Sequence, residues 1–339
     1  MCLRRAAKAF ALPEFAAGTQ PWRVGAVMFS KVMAPEKLPD LLAVAEEFEP
    51  DLIVHAPVDL AAPIVAAVRG IPSITYGTGL LLEDELVAAM AQWVAPLWDS
   101  MGVEADTHAG LYRRGYLDPI PASLQPDLGP AFGVAQPIRP AVAGTPRDPL
   151  PVWLFPRGER PLVYLSLGTV PIFNQPTAFG PLLEGLADSG VDVLVTVGTE
   201  TNPAALGPQP SNIHVTQWVS LAALLPRCAA VVCHAGAGTT LAALSHGLPL
   251  VLSPRGADQF PTAAACRTAG VARVLTPDQV TPAAVRESVD TVLSDASYRA
   301  AAERIRSEIS VMPSPVAAVE RILGSVGEHG DRHPLTAAE

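Results

Sequence analysis

The stretch AVVCHAGAGTTLAALSHG, residues 230–247, decides how this chain is read. The run AVVCH is short, apolar and continuous, the pattern of a strand buried on both faces of a parallel sheet. Gly236 and Gly238 then permit a tight turn with close backbone approach, and Thr239 and Thr240 open an apolar helix. Free N–H groups and the helix dipole at such a junction suit a phosphate, and neither threonine hydroxyl repels an anion. Taken alone, a G-x-G-T turn is equally well explained as a junction that only packs tightly. A dinucleotide fingerprint fits less well, because Leu241 stands at the third glycine position and Asp258 belongs to a loop beyond the next strand, LPLVLS. No G-x-x-x-x-G-K-[ST] occurs in the chain, which excludes a P-loop.

Outward from this junction, strands and helices alternate. Before it come strand LVYLSLG, a helix near PTAFGPLLEGLADSG, strands VDVLVTVG and NIHVTQW, and helix SLAALLP. After it come strand LPLVLS, helix QFPTAAACRTAG, strand ARVL, and the helical segments TPAAVRESVDTVLSD and SYRAAAERIRSEI. Residues 162–324 are therefore expected to form a complete doubly wound α/β domain, with residues 325–339 as a frayed tail. Upstream, residues 137–161 hold seven prolines, too few ladder donors for a central strand, and mark a linker.

Residues 1–136 are expected to form the other domain. Helix LPDLLAVAEEF, strand LIVHA, helix DLAAPIVAAVRG ended by Gly70, and strand IPSITYG place a β-α-β unit with a preceding helix over residues 37–77. A longer helix follows around LLLEDELVAAMAQWVAPLW, which Pro96 is expected to end or kink, and weaker strands are read near Tyr116 and Val134. At about 30 residues per β-α-β step, this domain is expected to be truncated by one or two units ahead of residue 37.

Composition narrows the function classes. The 339 residues suit two domains, and 49% hydrophobic with 17% charged residues excludes disorder and coiled coil. A net charge of −10 without any basic cluster makes nucleic acid an unsuitable partner. Cys2, Cys228, Cys233 and Cys266 make no C-x-x-C pair and no zinc-type cluster, so no metal site, no cofactor and a reduced, cytoplasmic setting are expected. The opening MCLRRAAKAFALPEF is interrupted by Lys8 and Pro13 and is not read as a signal peptide. The uncharged run from Cys228 to Pro254 reads as strand, turn, helix and strand, not as a transmembrane segment, because glycines, Pro249 and two histidines interrupt it.

The run QWVSLAALLPRCAAVVCHAGAGTTLAALSHGLPLVLSPRGADQ, residues 217–259, resembles the nucleotide-sugar donor motif of the GT-B glycosyltransferases of family 1, especially those acting on macrolides and other natural products. The tryptophan, the His-x-Gly-x-Gly-Thr turn, the G-x-P-x-x-x-x-P stretch and the terminal Asp-Gln stand in the family's order and spacing. The likeness extends from about Pro50 to Ile322, through PDLIVHAPVDLAAPIVAAVRGIP and VYLSLGT. It implies an α/β fold of two Rossmann-like domains facing a cleft. It puts His234 on the donor's pyrophosphate, with turn and helix-terminus contacts from Gly236, Gly238 and Thr239. It sets Trp218 against the base with the Val219 backbone at the base edge, Asp258 and Gln259 on sugar hydroxyls, and Gly168 and Thr169 along the donor site. The implied partners are a nucleotide-sugar donor and an apolar small-molecule acceptor.

Two departures bear on chemistry. Val219-Ser220-Leu221 stands where the family usually has Val/Ala-Pro-Gln, which leaves the choice between dTDP and UDP open. The family's catalytic histidine lies in a G-H-x-x-P setting, and no such segment occurs in this chain. His55, with Asp59 orienting it, is the candidate substitute base, and the same two residues also read as a structural polar pair. The expected function is inverting, metal-independent transfer of a sugar to a natural-product hydroxyl. A catalytically weak or inactive donor-binding remnant is the alternative, and an exposed sheet edge in the first domain would favour a homodimer.

Overall fold

Helix-ending residues set out the first unit. In the computed structural model, which describes residues 21–125, 135–154, 160–170 and 173–328, the residues ahead of the first strand are helical. They form α1 (Pro21–Val27), a π-helical turn (Met28–Met33) and α2 (Ala34–Phe48). After β1 (Ile53–His55), α3 (Ala62–Arg69) stops at Gly70, whose φ of +67° suits a residue without Cβ and whose N–H turns back to the Ala66 and Ala67 carbonyls. β2 (Ser73–Tyr76) follows. α4 (Asp84–Ser100) runs through Pro96 rather than ending there, because its face of Val87, Met90, Ala91, Val94 and Trp98 is buried and holds the helix across the proline. β3 (Tyr116–Asp118) and β4 (Ala135–Pro137) complete a parallel four-stranded sheet in the order β1-β2-β3-β4. Val134, Cys2, the MCLRRAAKAFALPEF segment and the tail from residue 329 lie outside the described residues.

The second unit follows the alternation that the sequence displays. It contains β5 (Leu162–Ser166), α5 (Pro176–Leu186), β6 (Asp192–Thr196), β7 (Ile213–Thr216), α6 (Leu221–Leu224), β8 (Ala230–Cys233) and α7 (Ala237–Leu244). β9 (Leu250–Leu252), α8 (Gln259–Thr268), β10 (Ala272–Val274), α9 (Pro282–Ser294) and α10 (Ala296–Val311) complete it. All six strands are parallel, in the order β10-β9-β8-β5-β6-β7. The central strands are apolar on both faces, as a parallel sheet covered by helices requires. Val163, Leu165, Val193, Val195 and Val232 pack under Phe179 and Leu182 of α5 and Val285 and Val289 of α9. Gly185 lets those helices meet, since a Cβ there would stand 2.6 Å from the Pro282 carbonyl oxygen.

The division between units differs from the expected boundaries. The described residues of Met1–Pro119, Asp127–Ile138 and Val316–Glu339 belong to one unit, and Ile120–Pro126 with Arg139–Pro315 to the other. Packing explains both departures. The last helix, α11 (Pro315–Glu328), buries Ala318 and Ile322 with Ile74, Leu117 and Ile138 of the first unit. The proline-rich residues after Ile138 lack ladder donors and instead attach to the second unit by rings and carbonyls. Trp153 stacks on His214 of β7 with centroids 3.7 Å apart and planes 12° from parallel, and the Ala143 carbonyl accepts from Ala222 N–H at 3.1 Å.

Removing the Ile322 side chain should cost about 2–4 kcal/mol through the cavity it leaves. Hydrogen exchange should then quicken in β2 and β3 while β8 and β9 keep their protection; unchanged exchange in β2 and β3 would contradict the packing of α11.

Candidate functional site

The order of the second sheet reverses between β5 and β8, and in such sheets ligands bind at the carboxyl ends of the strands where this switch occurs. His234 follows β8 and Gly168 follows β5. A Cβ on Gly168 would lie 2.6 Å from His234 Cε1, and one on Gly236 would lie 2.4 Å from His234 Nε2. The imidazole is thus slotted between two glycine backbones. Gly168 has φ +80°, and Ala235, buried between His234 and Gly236, is held at φ +66° without glycine's freedom. Such a residue costs on the order of 1–3 kcal/mol and persists only where its surroundings enforce it. Ala257, in the loop before α8, is held in the same region at φ +53°.

A buried polar chain fixes the β5 side of the slot. Tyr164 OH lies 2.6 Å from Thr196 Oγ1, which donates to Ser166 Oγ at 3.1 Å, and Ser166 Oγ accepts from Gly168 N–H at 3.3 Å. Asn174 Nδ2 donates to the Val197 carbonyl at 2.5 Å. Its Oδ1, and Ser253 Oγ at the end of β9, are buried without hydrogen-bond partners. Orphaned polar atoms are uncommon in interiors and mark places that water or a ligand completes.

Burial lowers the pKa of His234. The backbone of Ser166 opposes this and the charge of Arg255 adds to it, while Nδ1 is buried without a hydrogen-bond partner. The ring is therefore neutral at pH 7 and offers one N–H and one lone pair. Beside it, α7 begins with Gly236 as its N-cap and no acid in its first turn. Its free N–H groups make that end the positive pole of the helix. Nothing stands within 4 Å of where a Gly238 Cβ would be, and Gly238 is exposed. Thr239 is half-buried in the same turn.

Trp218 stands beyond β7, three strand spacings or about 14 Å from β8. Its side chain is 55% exposed, yet the backbone around it is pinned. Gln217 Nε2 donates to the Thr199 and Thr201 carbonyls at 3.2 and 3.3 Å, and buried Ser220 donates to the Thr145 carbonyl at 3.2 Å. Thr145 is itself tied to Asp148 through its N–H at 2.7 Å and its hydroxyl at 2.6 Å. Val219 is buried in this loop. The result is a flat aromatic ring left to solvent on a rigid support.

Gln259 is buried at the start of α8, and its Oε1 accepts from Arg255 N–H at 2.8 Å and Gly256 N–H at 3.3 Å. Its oxygen is thereby committed to the loop, leaving the amide nitrogen for other partners. Asp258 occupies the N-cap position of α8 but makes no side-chain cap bond. It lies at the surface, while the protein crowding its carboxyl raises its pKa. Gly168, Thr169, His234, Gly236, Gly238, Thr239, Asp258 and Gln259 thus gather at the carboxyl ends of β5, β8 and β9, with Trp218 and Val219 beyond β7.

In the first unit the His55 and Asp59 pairing needs correction. Asp59 Oδ2 pairs with Lys37 Nζ at 2.7 Å. His55 turns Nδ1 to the Ala56 carbonyl at 3.1 Å and Nε2 to Thr75 Oγ1 at 3.4 Å. Burial depresses the pKa of His55, and the Ala56 hydrogen bond and the Asp59 charge only partly offset that. Lys37, on the preceding helix, captures the acid before the histidine can.

Sequence reasoning missed the Tyr164–Thr196–Ser166 chain, Asn174 and the Thr145–Asp148 loop. The available signal was a polar residue set into each apolar strand, Ser166 in VYLSLG and Thr196 in VLVTVG. Among the described residues no cluster of His, Cys, Asp or Glu is arranged to hold a metal, and no helix is long and apolar enough to cross a membrane.

A doubly wound sheet with a histidine–glycine slot at its switch point, paired with a second parallel-sheet unit, defines a GT-B glycosyltransferase of the natural-product type. The chain belongs to the family described as erythromycin biosynthesis protein CIII-like, whose N-terminal domain matches residues 5–139 and whose C-terminal domain matches residues 181–324. It is 29% identical to the 3-alpha-mycarosylerythronolide B desosaminyl transferase of Saccharopolyspora erythraea, over 86% of this chain and 72% of that protein. It is also 29% identical to the L-demethylnoviosyl transferase of Streptomyces niveus, over 84% and 73% of the two chains. Among solved structures, the spinosyn rhamnosyltransferase SpnG complexed with thymidine diphosphate is similar with a TM-score of 0.77 and 26% identity, over 93% of this chain and 84% of that one. The glycosyltransferase SnogD from Streptomyces nogalater is similar with a TM-score of 0.71 and 26% identity, over 90% and 82%.

Two outcomes test the slot. Gly236→Ala drives a methyl into the imidazole and should lose about 1–3 kcal/mol in thermal melts, whereas Gly238→Ala meets open space inside a helix and should match or exceed the parent by up to about 1 kcal/mol. For pH, the unfolded chain binds the His234 proton more readily than the folded one, so stability falls as pH drops through about 6.5. An NMR titration should place the His234 midpoint below that value, and a midpoint at or above it would contradict the burial.

Proposed function

We propose that this chain moves a sugar from a dTDP- or UDP-sugar to a hydroxyl of an apolar natural product, inverting the anomeric carbon without a bound metal. The observation that supports this most is the neutral imidazole of His234 held between Gly168 and Gly236 beside the free N-terminus of α7. An N–H of that ring and the helix amides face the diphosphate, while Trp218 lies under the base and Val219 offers its backbone at the base edge. Gly168 and Thr169 line the phosphates. Asp258 and the amide nitrogen of Gln259 take sugar hydroxyls.

In the reaction the acceptor oxygen bonds to the anomeric carbon as the carbon–oxygen bond to the diphosphate breaks. The electron pair leaves on the diphosphate, where oriented amides and an imidazole lower the cost of the growing charge. The acceptor proton passes to a base, a step worth roughly 10²- to 10⁴-fold when the base is well placed. The engagement of His55 with Ala56 and Thr75, and of Asp59 with Lys37, favours a second reading, donor binding with weak or no turnover.

Calorimetry with dTDP and UDP should show binding by the parent chain. His234→Ala should weaken it by about tenfold or more, the loss of one hydrogen bond to a charged group; unchanged affinity would remove the donor-site assignment. Donor turnover measured on the same samples separates transfer from binding alone.

A further inference from the structure

The loop between β9 and α8 carries a cation that the fold does not use. Arg255 is exposed, and its guanidinium makes no hydrogen bond or ion pair with any described residue. Arg139, Arg273, Arg286 and Arg299 of the second unit are engaged with carbonyls or Glu287, while Arg147, Arg160, Arg267 and Arg304 are as unpaired as Arg255, so it is the place of Arg255 after β9 that sets it apart. Asp258, three residues on, is not a counter-ion to Arg255. No ion pair joins them, and crowding raises the Asp258 pKa where a guanidinium partner would lower it.

The backbone of Arg255 is nonetheless fixed. Ser253 N–H donates to the Cys233 carbonyl at 2.8 Å, so the chain leaves β9 alongside the His234 turn. Gln259 Oε1 then holds the N–H groups of Arg255 and Gly256. Gly256 is pressed against Phe173, whose ring carbon a Cβ would meet at 2.6 Å. The charge of Arg255 is felt at His234. An unpaired guanidinium thus rises from a backbone tied to the strand end that carries His234, and that strand leads into an eight-residue helix with no acid in its first turn.

We propose that Arg255 is a further binding residue of the donor site, its guanidinium taking the terminal phosphate oxygens of the nucleoside diphosphate and holding them as the sugar departs. The inference rests on the donor-site reading above. A guanidinium fork matches two phosphate oxygens at once, and it supplies a full positive charge where His234 supplies only a neutral N–H. When the sugar's anomeric carbon–oxygen bond breaks, the electron pair settles on the oxygen that Arg255 faces, so the contact strengthens as the charge grows.

Because the side chain has no partner among the described residues, Arg255→Gln should fold with an unchanged thermal midpoint. In calorimetry it should bind dTDP, or UDP if that is the tighter ligand, about 10- to 100-fold more weakly than the parent, with thymidine or uridine unaffected. Arg255→Lys should recover part of the loss, and the parent's affinity should fall more steeply with salt than that of the glutamine variant. If the parent binds diphosphate and His234→Ala weakens it while Arg255→Gln does not, Arg255 has no such role and the donor site stands. If the parent binds neither dTDP nor UDP, the donor-site reading itself fails, and the inference with it.

Discussion

The second unit is organised around the volume of one imidazole. With His234 in place at the end of β8, the residues facing it after β5 and before α7 have to be glycines, because any side chain would share its space. The slot works only while the two strand ends stay in register, and the Val163–Ala230 to Ser166–Cys233 pairing keeps them there. Register depends in turn on the apolar residues of β5 and β8 staying covered on both faces. Core, topology and site are therefore one set of constraints.

Several incomplete polar groups and strained residues lie at the strand ends around His234, though others occur elsewhere in both units. Backbone strain at Ala235 and Ala257, the unpartnered Asn174 Oδ1 and Ser253 Oγ, and the unpaired Arg255 all lie around the same strand termini. The strained backbone and the buried orphan atoms are each unfavourable alone, and the surrounding core holds them in place, whereas the exposed Arg255 is solvated and costs nothing. The loop bearing Trp218 follows the same pattern, since hydrogen bonds from Gln217 and Ser220 immobilise its backbone while the indole stays uncovered.

Most of the second unit was legible in the sequence because its strands are uninterrupted apolar runs and its turns are glycines at fixed offsets. The switch-point residues were legible for the same reason, since His234, Gly236 and Gly238 sit on a single junction. What was not legible depends on partners far apart in the chain. Nothing in the sequence tells that the oxygen of Gln259 holds the Arg255 and Gly256 amides and leaves only its nitrogen for a ligand. Asp59 reads as a partner of His55 until Lys37 arrives from the preceding helix. Pro96 reads as an end or a kink, and a wide apolar face carries α4 past it rather than letting it end there. The prolines of residues 137–161 read as a spacer, and no local pattern announces that Trp153 stacks on His214.

The placement of α11 sets an order of events during synthesis. Ile74 and Leu117 belong to the half of the chain that leaves the ribosome first, yet the residues that cover them, Ala318 and Ile322, are made roughly two hundred positions later. The second unit has all its strands by Val274 and its covering helices by Val311, so it can close while the earlier half still waits with part of its core uncovered. Here the part of the chain begun first is the part finished last.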